Sequence, residues 1–153
     1  MKNKRKIIIT QSEEEMEKAA RKYTEEISRK SEARQATIVA LKGELGAGKT
    51  NFTRGFIKKL GGRGRVTSPT FVIIKKYELC RGPWKRAYHI DAYRLKSGKE
   101  LAALGFGEIK KNPENVILIE WPEKIKEILP RGIKRVGFRH LGGARREIKF
   151  SFI

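Results

Sequence analysis

Aspartate, cysteine and histidine are scarce in this chain: its 153 residues hold one Asp, one Cys and two His. Cys80 alone can close no disulfide within the chain and build no cysteine zinc site, so a reducing compartment, the cytoplasm, suits it best. A regulatory GTPase needs an Asn-Lys-x-Asp base reader and an Asp-x-x-Gly switch. Asp91 is the sole aspartate and cannot serve both, so that class is excluded. His89 and His140 lie at no metal-ligand spacing and read as structural, His89 as a packing partner near the site. Long apolar runs are missing too: the longest strongly apolar stretch, residues 116–119, falls far short of the roughly 20 residues a membrane-spanning helix needs. Residues 1–6 are basic, but only the three isoleucines at 7–9 follow, well short of a signal-peptide core. No internal repeat or low-complexity linker is present, so residues 1–153 are expected to form a single domain with no membrane contact.

Positive charge is abundant instead. Lys and Arg number 36 against 17 acidic residues, a formal net charge of +19. Residues 50–153 carry 24 of the basic residues and nine of the acids, so the excess lies after the middle of the chain. Such a balance calls for a polyanionic partner, whether nucleic acid, a phosphate-rich ligand or an acidic surface. At 39% hydrophobic and 8% aromatic content, the chain can still bury a core.

Periodicity places the elements. Residues 7–9 read as a short strand, and Ser12 with Glu15 as a capping box opening an amphipathic helix to about residue 33. Residues 37–41 are β-branched and apolar, as in a buried strand. Residues 49–60 place Phe52, Phe56 and Leu60 on one helical face and stop at Gly61-Gly62. Strands follow at 71–79 and 85–91, around a turn at Arg81-Gly82-Pro83. Ser97 with Glu100 forms a second capping box for a short helix ending near Gly105. Residues 116–121 make a strand closed by Pro122, residues 123–129 a short helix, and residues 134–140 and 147–153 a hairpin around Gly142-Gly143. In its second arm Ile148, Phe150 and Phe152 point one way. Strands alternating with helices early, then a hairpin late, predict an α/β sheet with some antiparallel members.

The chemistry is concentrated at Gly43-Glu44-Leu45-Gly46-Ala47-Gly48-Lys49-Thr50, which fits G-x-x-x-x-G-K-[ST] at every fixed position, with a buried strand before it and a helix after it. Glycines let the backbone curl so that successive amides converge on phosphate oxygens, reinforced by the helix N-terminus. Lys49 reaches the β/γ-phosphates and Thr50 offers its hydroxyl to Mg²⁺. Three further segments meet at the C-terminal strand edges, where ligands bind in α/β sheets. Thr67-Ser68-Pro69-Thr70 reads either as a plain turn or as a loop whose hydroxyls sense Mg²⁺ or the γ-phosphate. Asp91 ends a strand, either holding a metal-bound water or acting as a base, or else capping a helix or pairing with Arg94. Glu120 ends the apolar run 116–120 in the Walker B arrangement, which orients metal or water. A small-molecule kinase with Arg63 and Arg65 in a lid, and a nucleotide-dependent binding switch, are alternatives to an ATPase.

Taken together, Gly-Glu-Leu-Gly-Ala-Gly-Lys-Thr, Thr-Ser-Pro-Thr-Phe, His-Ile-Asp-Ala-Tyr-Arg-Leu and Ile-Glu-Trp-Pro-Glu-Lys resemble the TsaE (YjeE) family, in order from about residue 8 to the C-terminus. The Walker A element is widespread; the other three are specific. The resemblance implies an α/β three-layer fold of the P-loop NTPase kind, a mixed, mainly parallel sheet flanked by helices with an antiparallel C-terminal hairpin. It also implies a Mg²⁺-dependent ATPase of tRNA threonylcarbamoyladenosine synthesis, slow alone, that resets the TsaD–TsaB pair between rounds. On matching positions, Gly43 and Gly46, Ala47, Gly48, Lys49 and Thr50 would hold the phosphates, and Thr50 with Glu120 the Mg²⁺. Ser68 to Thr70 would be the first switch loop, and Lys49, Asp91 and Glu120 would carry the chemistry. Trp121 and Glu123, Arg146 of the last hairpin and the segment around Ser12 would add nucleotide contacts. Asn51 stands where a second threonine is common in the family. The +19 charge has three readings: direct phosphate contact with tRNA within an assembly, docking onto an acidic partner protein, or a compositional bias with solvated faces.

Overall fold

In the computed structural model the described residues are 5–31, 33–67, 69 and 72–151. The chain runs β1 (Arg5–Thr10), α1 (Glu13–Arg29), β2 (Thr37–Gly43), α2 (Lys49–Lys59), β3 (Ile74–Glu78), β4 (Arg86–Asp91), α3 (Gly98–Ala103), α4 (Phe106–Lys111), β5 (Asn115–Glu120), a 3-10 helix (Pro122–Ile128), β6 (Lys134–Gly142) and β7 (Arg145–Ser151). Seven strands form one sheet in the order β1-β7-β6-β2-β5-β4-β3. The ladders joining β6, β2, β5 and β4 are parallel, while β3 and the β7–β1 pair close the edges antiparallel. Parallel strands must be buried on both faces, and β2 and β5 show it: residues 37–41 and 115–120 are buried throughout.

Alternation along the strands sorts the core into two layers. Val39 and Leu41, Val116 and Leu118, Val136 and Phe138, and Ile148 and Phe150 face α1 and α2. Ile38, Ala40, Ile117 and Ile119 face α3, α4 and the 3-10 helix. Phe52 is fully buried among the rings of Tyr23, Phe138 and Phe150, at centroid distances of 5.8, 5.2 and 6.2 Å. Truncating it to alanine would cost about 3–5 kcal/mol.

Several sequence expectations shift. Helix α1 ends at Arg29, not near residue 33, because Ile27 is its last buried residue and nothing apolar follows at helical spacing. Its capping box holds in modified form: Ser12 Oγ accepts the Glu15 N–H at 3.1 Å, but the Glu15 carboxylate accepts from Gln11 N–H rather than from Ser12. In α3 the second box is half made: Glu100 accepts the Lys96 N–H at 2.8 Å, and Ser97 makes no side-chain cap. Strand β3 begins at Ile74, three residues after the expected start. Helix α4, unforeseen from the sequence, opens at Gly105, whose φ of 91° a side chain would resist. Residues 122–128 are a 3-10 helix with a kink at Ile125. Phe71 and Phe152 lie outside the described residues. No helix among the described residues is long and apolar enough to cross a membrane.

Candidate functional site

Strand β2 delivers the chain to the C-terminal edge of the sheet, and α2 carries it away from Lys49. Between them the backbone turns through Gly46 at φ 76° and Gly48 at φ 102°. Each glycine is required for a different reason. A Cβ on Gly48 would sit 2.6 Å from the Met16 Cε of α1, whereas nothing lies within 4 Å of the Cβ position of Gly46, so that face of the loop is open. Gly43 is pinned by Phe138, whose backbone oxygen would be 2.8 Å from an added Cβ. Ala47 turns its methyl into the core.

The carboxylates come from alternation and register together. Val116, Leu118 and Glu120 share one face of β5, and the parallel ladder sets Ala87, His89 and Asp91 beside them on β4. Apolar side chains thus fill the core, and the last residue on each strand, a carboxylate, emerges next to the phosphate loop. Glu120 is only 5% exposed, and its Oε2 lies 3.1 Å from His89 Nε2. His89 is fully buried and its Nδ1 has no partner among the described residues, so the ring donates from Nε2 to the carboxylate. The expectation of a packing histidine therefore becomes a hydrogen-bonded one. Asp91 is half-buried, and its Oδ1 accepts the Tyr93 N–H at 3.0 Å.

Lys49, buried to 6% exposure, donates to the Gly43 carbonyl, and its Nζ lies 4.3 Å from the ring centroid of Trp121. Burial lowers the pKa of this ammonium, and Glu120, Asp91 and Glu123 pull it back up. Trp121 takes the left-handed conformation at φ 57°, uncommon for a bulky side chain, which turns its ring toward Lys49 and 5.1 Å from Tyr93. From the last hairpin Arg146 donates through Nε to the Gly46 carbonyl at 2.9 Å and through Nη1 to Gly143 at 2.7 Å, tying the hairpin tip to the loop.

These groups line a cavity of about 660 Å³, within the roughly 300–1,000 Å³ range of cofactor sites. Of the sequence candidates, Ser12, Gly46, Gly48, Lys49, Thr50, Asp91, Glu120, Trp121 and Arg146 face it. Gly43 and Ala47 support the loop from behind, and Glu123 stands exposed beyond the rim, acting through its field on Lys49. Ser68 and Thr70 lie outside the described residues. Glu13, Met16, Leu45, Asn51, Tyr93 and Ala144 also line the cavity without having been singled out as site residues; Leu45 and Asn51 were signalled by the phosphate-loop motif and its flank, and Tyr93 by its place beside Asp91.

The donor set suits a magnesium-bound polyphosphate. Among the described residues no cluster of three or more His, Cys, Asp or Glu could cage a metal. One hydroxyl, from Thr50, and one or two carboxylates are what Mg²⁺ uses when phosphate oxygens and water complete its shell. The open face at Gly46 leaves room for a phosphate against the backbone.

A family model described as threonylcarbamoyl adenosine biosynthesis protein TsaE matches residues 10–148. Among curated relatives, the tRNA threonylcarbamoyladenosine biosynthesis protein TsaE of Haemophilus influenzae is 38% identical over 120 residues, 78% of this chain and 73% of its own. The Bacillus subtilis protein of the same name is 39% identical over 79% of this chain and 73% of its own. Among solved structures, Bacillus subtilis YdiB superposes with a TM-score of 0.75 at 32% identity, covering 99% of this chain and 87% of that one.

Proposed function

Since the chain belongs to the TsaE family, the threonylcarbamoyl adenosine biosynthesis proteins, we propose that it is the Mg²⁺-dependent ATPase of tRNA threonylcarbamoyladenosine synthesis, hydrolysing ATP to support turnover of the TsaD–TsaB pair. One observation carries the reading: the complete phosphate loop and the strand-end carboxylates Asp91 and Glu120 open into one cavity.

The amides of residues 46–50 bind the phosphates, and Lys49 exchanges the Gly43 carbonyl for a β/γ-phosphate oxygen. That exchange restores to the ammonium the compensation burial withholds, so binding is strongest with Lys49 charged. Thr50 and Glu120 would hold Mg²⁺, which would neutralise charge building on the phosphates. His89 fixes the Glu120 carboxylate through its second oxygen. Asp91, less buried than Glu120 and held by the Tyr93 amide, orients the attacking water. Arg146, already bonded to the loop, reaches the outer phosphate edge, and Trp121 walls the pocket.

The test is Mg²⁺-dependent phosphate release from ATP by the protein alone and with TsaD, TsaB and tRNA. Slow release that rises strongly with the pair is expected. ATP consumed without free phosphate, with a phosphorylated small molecule appearing instead, would replace the ATPase by a kinase.

A further inference from the structure

At the opposite edge of the sheet, the N-terminal ends of β2 and β6 form the floor of a second cleft of about 300 Å³. Its walls are the segments 33–38 and 130–134, and its charged side chains are Arg34, Arg131 and Lys134, with no carboxylate among the described lining residues. The turn between Pro130 and Ile133 passes through Gly132 at φ 80°, a conformation that glycine alone adopts freely. Lys134, the first residue of β6, is half-buried, and Lys30, the C-terminal cap of α1, is its close charged neighbour. Burial and the Lys30 ammonium both push the pKa of Lys134 down. No ion pair among the described residues involves Lys30, Arg34, Arg131 or Lys134, although the protein forms such pairs elsewhere.

Helix polarity accounts for Lys30, since cations are favoured in the last turn of a helix. It does not account for Arg34, Arg131 and Lys134, which lie past the helix on two other segments. Gathering like charges around a half-buried ammonium costs stability unless an anion offsets it. Arg34 from one wall and Arg131 from the other, with Lys134, supply the fork-shaped guanidinium and ammonium donors that phosphate oxygens take.

We propose that the cleft formed by Arg34, Arg131 and Lys134 is a second phosphate-binding site, on the far side of the sheet from the nucleotide cavity, and that it takes a backbone phosphate of RNA. The choice of RNA rests on the family reading above; the cleft and its charge do not. The two sites are filled from opposite ends of the central strands, so one chain can hold nucleotide and polynucleotide together.

The experiment titrates labelled tRNA, inorganic phosphate and poly-glutamate into the full chain over a range of salt, with ATP affinity measured in parallel. The double variant R131Q/K134Q should lose roughly tenfold in tRNA affinity and lower the magnitude of the slope of log K against log salt by up to about 0.9, the share of one phosphate. The exposed single variant R34Q, which removes no buried group, should weaken tRNA binding by a smaller factor and change the slope less than the double variant does. Both should bind ATP as the wild type does, and K18Q/K99Q, matched in charge on other exposed surfaces, should change tRNA affinity less. Amide shifts at Gly132 and Lys134 with phosphate, alongside unchanged tRNA affinity, would support the site with free phosphate as its source. The proposal is overturned if neither ligand responds, if K18Q/K99Q weakens tRNA binding equally, or if poly-glutamate binds through the same residues as tightly as RNA. Failure of ATP binding in the wild type would instead count against the nucleotide reading and leave this test intact.

Discussion

At the C-terminal ends of the central strands a buried lysine, Lys49, sits among Glu120, Asp91 and Glu123; at the N-terminal ends a half-buried lysine, Lys134, has Lys30 for its neighbour. Burial lowers both pKa values. At the first end three carboxylates work against it, and at the second another cation works with it. The difference shows what each end requires. The first balances its own charge, and on the proposed function it takes phosphate together with a divalent cation, because adding phosphate alone would place it against two carboxylates. The second has no carboxylate among its described lining residues, and on the proposal above it accepts an anion by itself.

The comparison can be broken most forcefully at Lys49. Lys49→Ala should weaken Mg·ATP binding at least tenfold, about 1.4 kcal/mol or more, in calorimetric titration while leaving tRNA affinity unchanged. Equal loss of both ligands would show that the two ends are not independent. Asp91→Asn should keep ATP affinity within about threefold and lower stimulated phosphate release by roughly 10²–10³. Lost ATP binding would move Asp91 from water positioning to binding.

Removing the Glu120 partner sharpens the same contrast. His89→Leu leaves a buried carboxylate without its hydrogen bond and should destabilise the protein by about 1–3 kcal/mol in thermal melts, with partial recovery on adding Mg·ATP. Recovery with ATP in the presence of EDTA would mean that the metal is not what Glu120 meets. The smallest effect belongs to the other end. Because the native pKa of Lys134 lies below its unfolded value, the native state binds fewer protons there. The penalty is full below the native pKa and fades as pH rises toward 10.5. Lys134→Met should therefore stabilise the protein at pH 7, on the order of 0.5 kcal/mol after solvent screening. The gain should shrink at alkaline pH; a gain that grows with pH would contradict the account.

How far this was legible beforehand depended on the range of the interaction. The phosphate loop is contiguous, so its glycines, Lys49 and Thr50 could be read directly. Asp91 and Glu120 were legible as strand ends, since a carboxylate closing an apolar run is a local signal. The His89–Glu120 bond was not, because it depends on the β4–β5 register across 31 residues. Met16 belongs to the site only because α1 packs where Gly48 lacks a side chain, a contact no motif records. Helix α4 was missed because its six residues bury only Phe106, too little for a periodic stripe. The basic cleft was visible only as surplus charge: Arg34 and Lys134 are 100 positions apart, and the sheet brings them together.

The most direct test of two ends with two charges is an amide chemical-shift map of the labelled protein, titrated first with Mg·ATP and then, at saturation, with inorganic phosphate. ATP should move residues 46–50 and Trp121 and leave Arg34 and Gly132 in place, and phosphate should then move the latter pair alone. ATP that leaves residues 46–50 unmoved, or a single set of shifts shared by both ligands, would contradict the assignment of two separate ends.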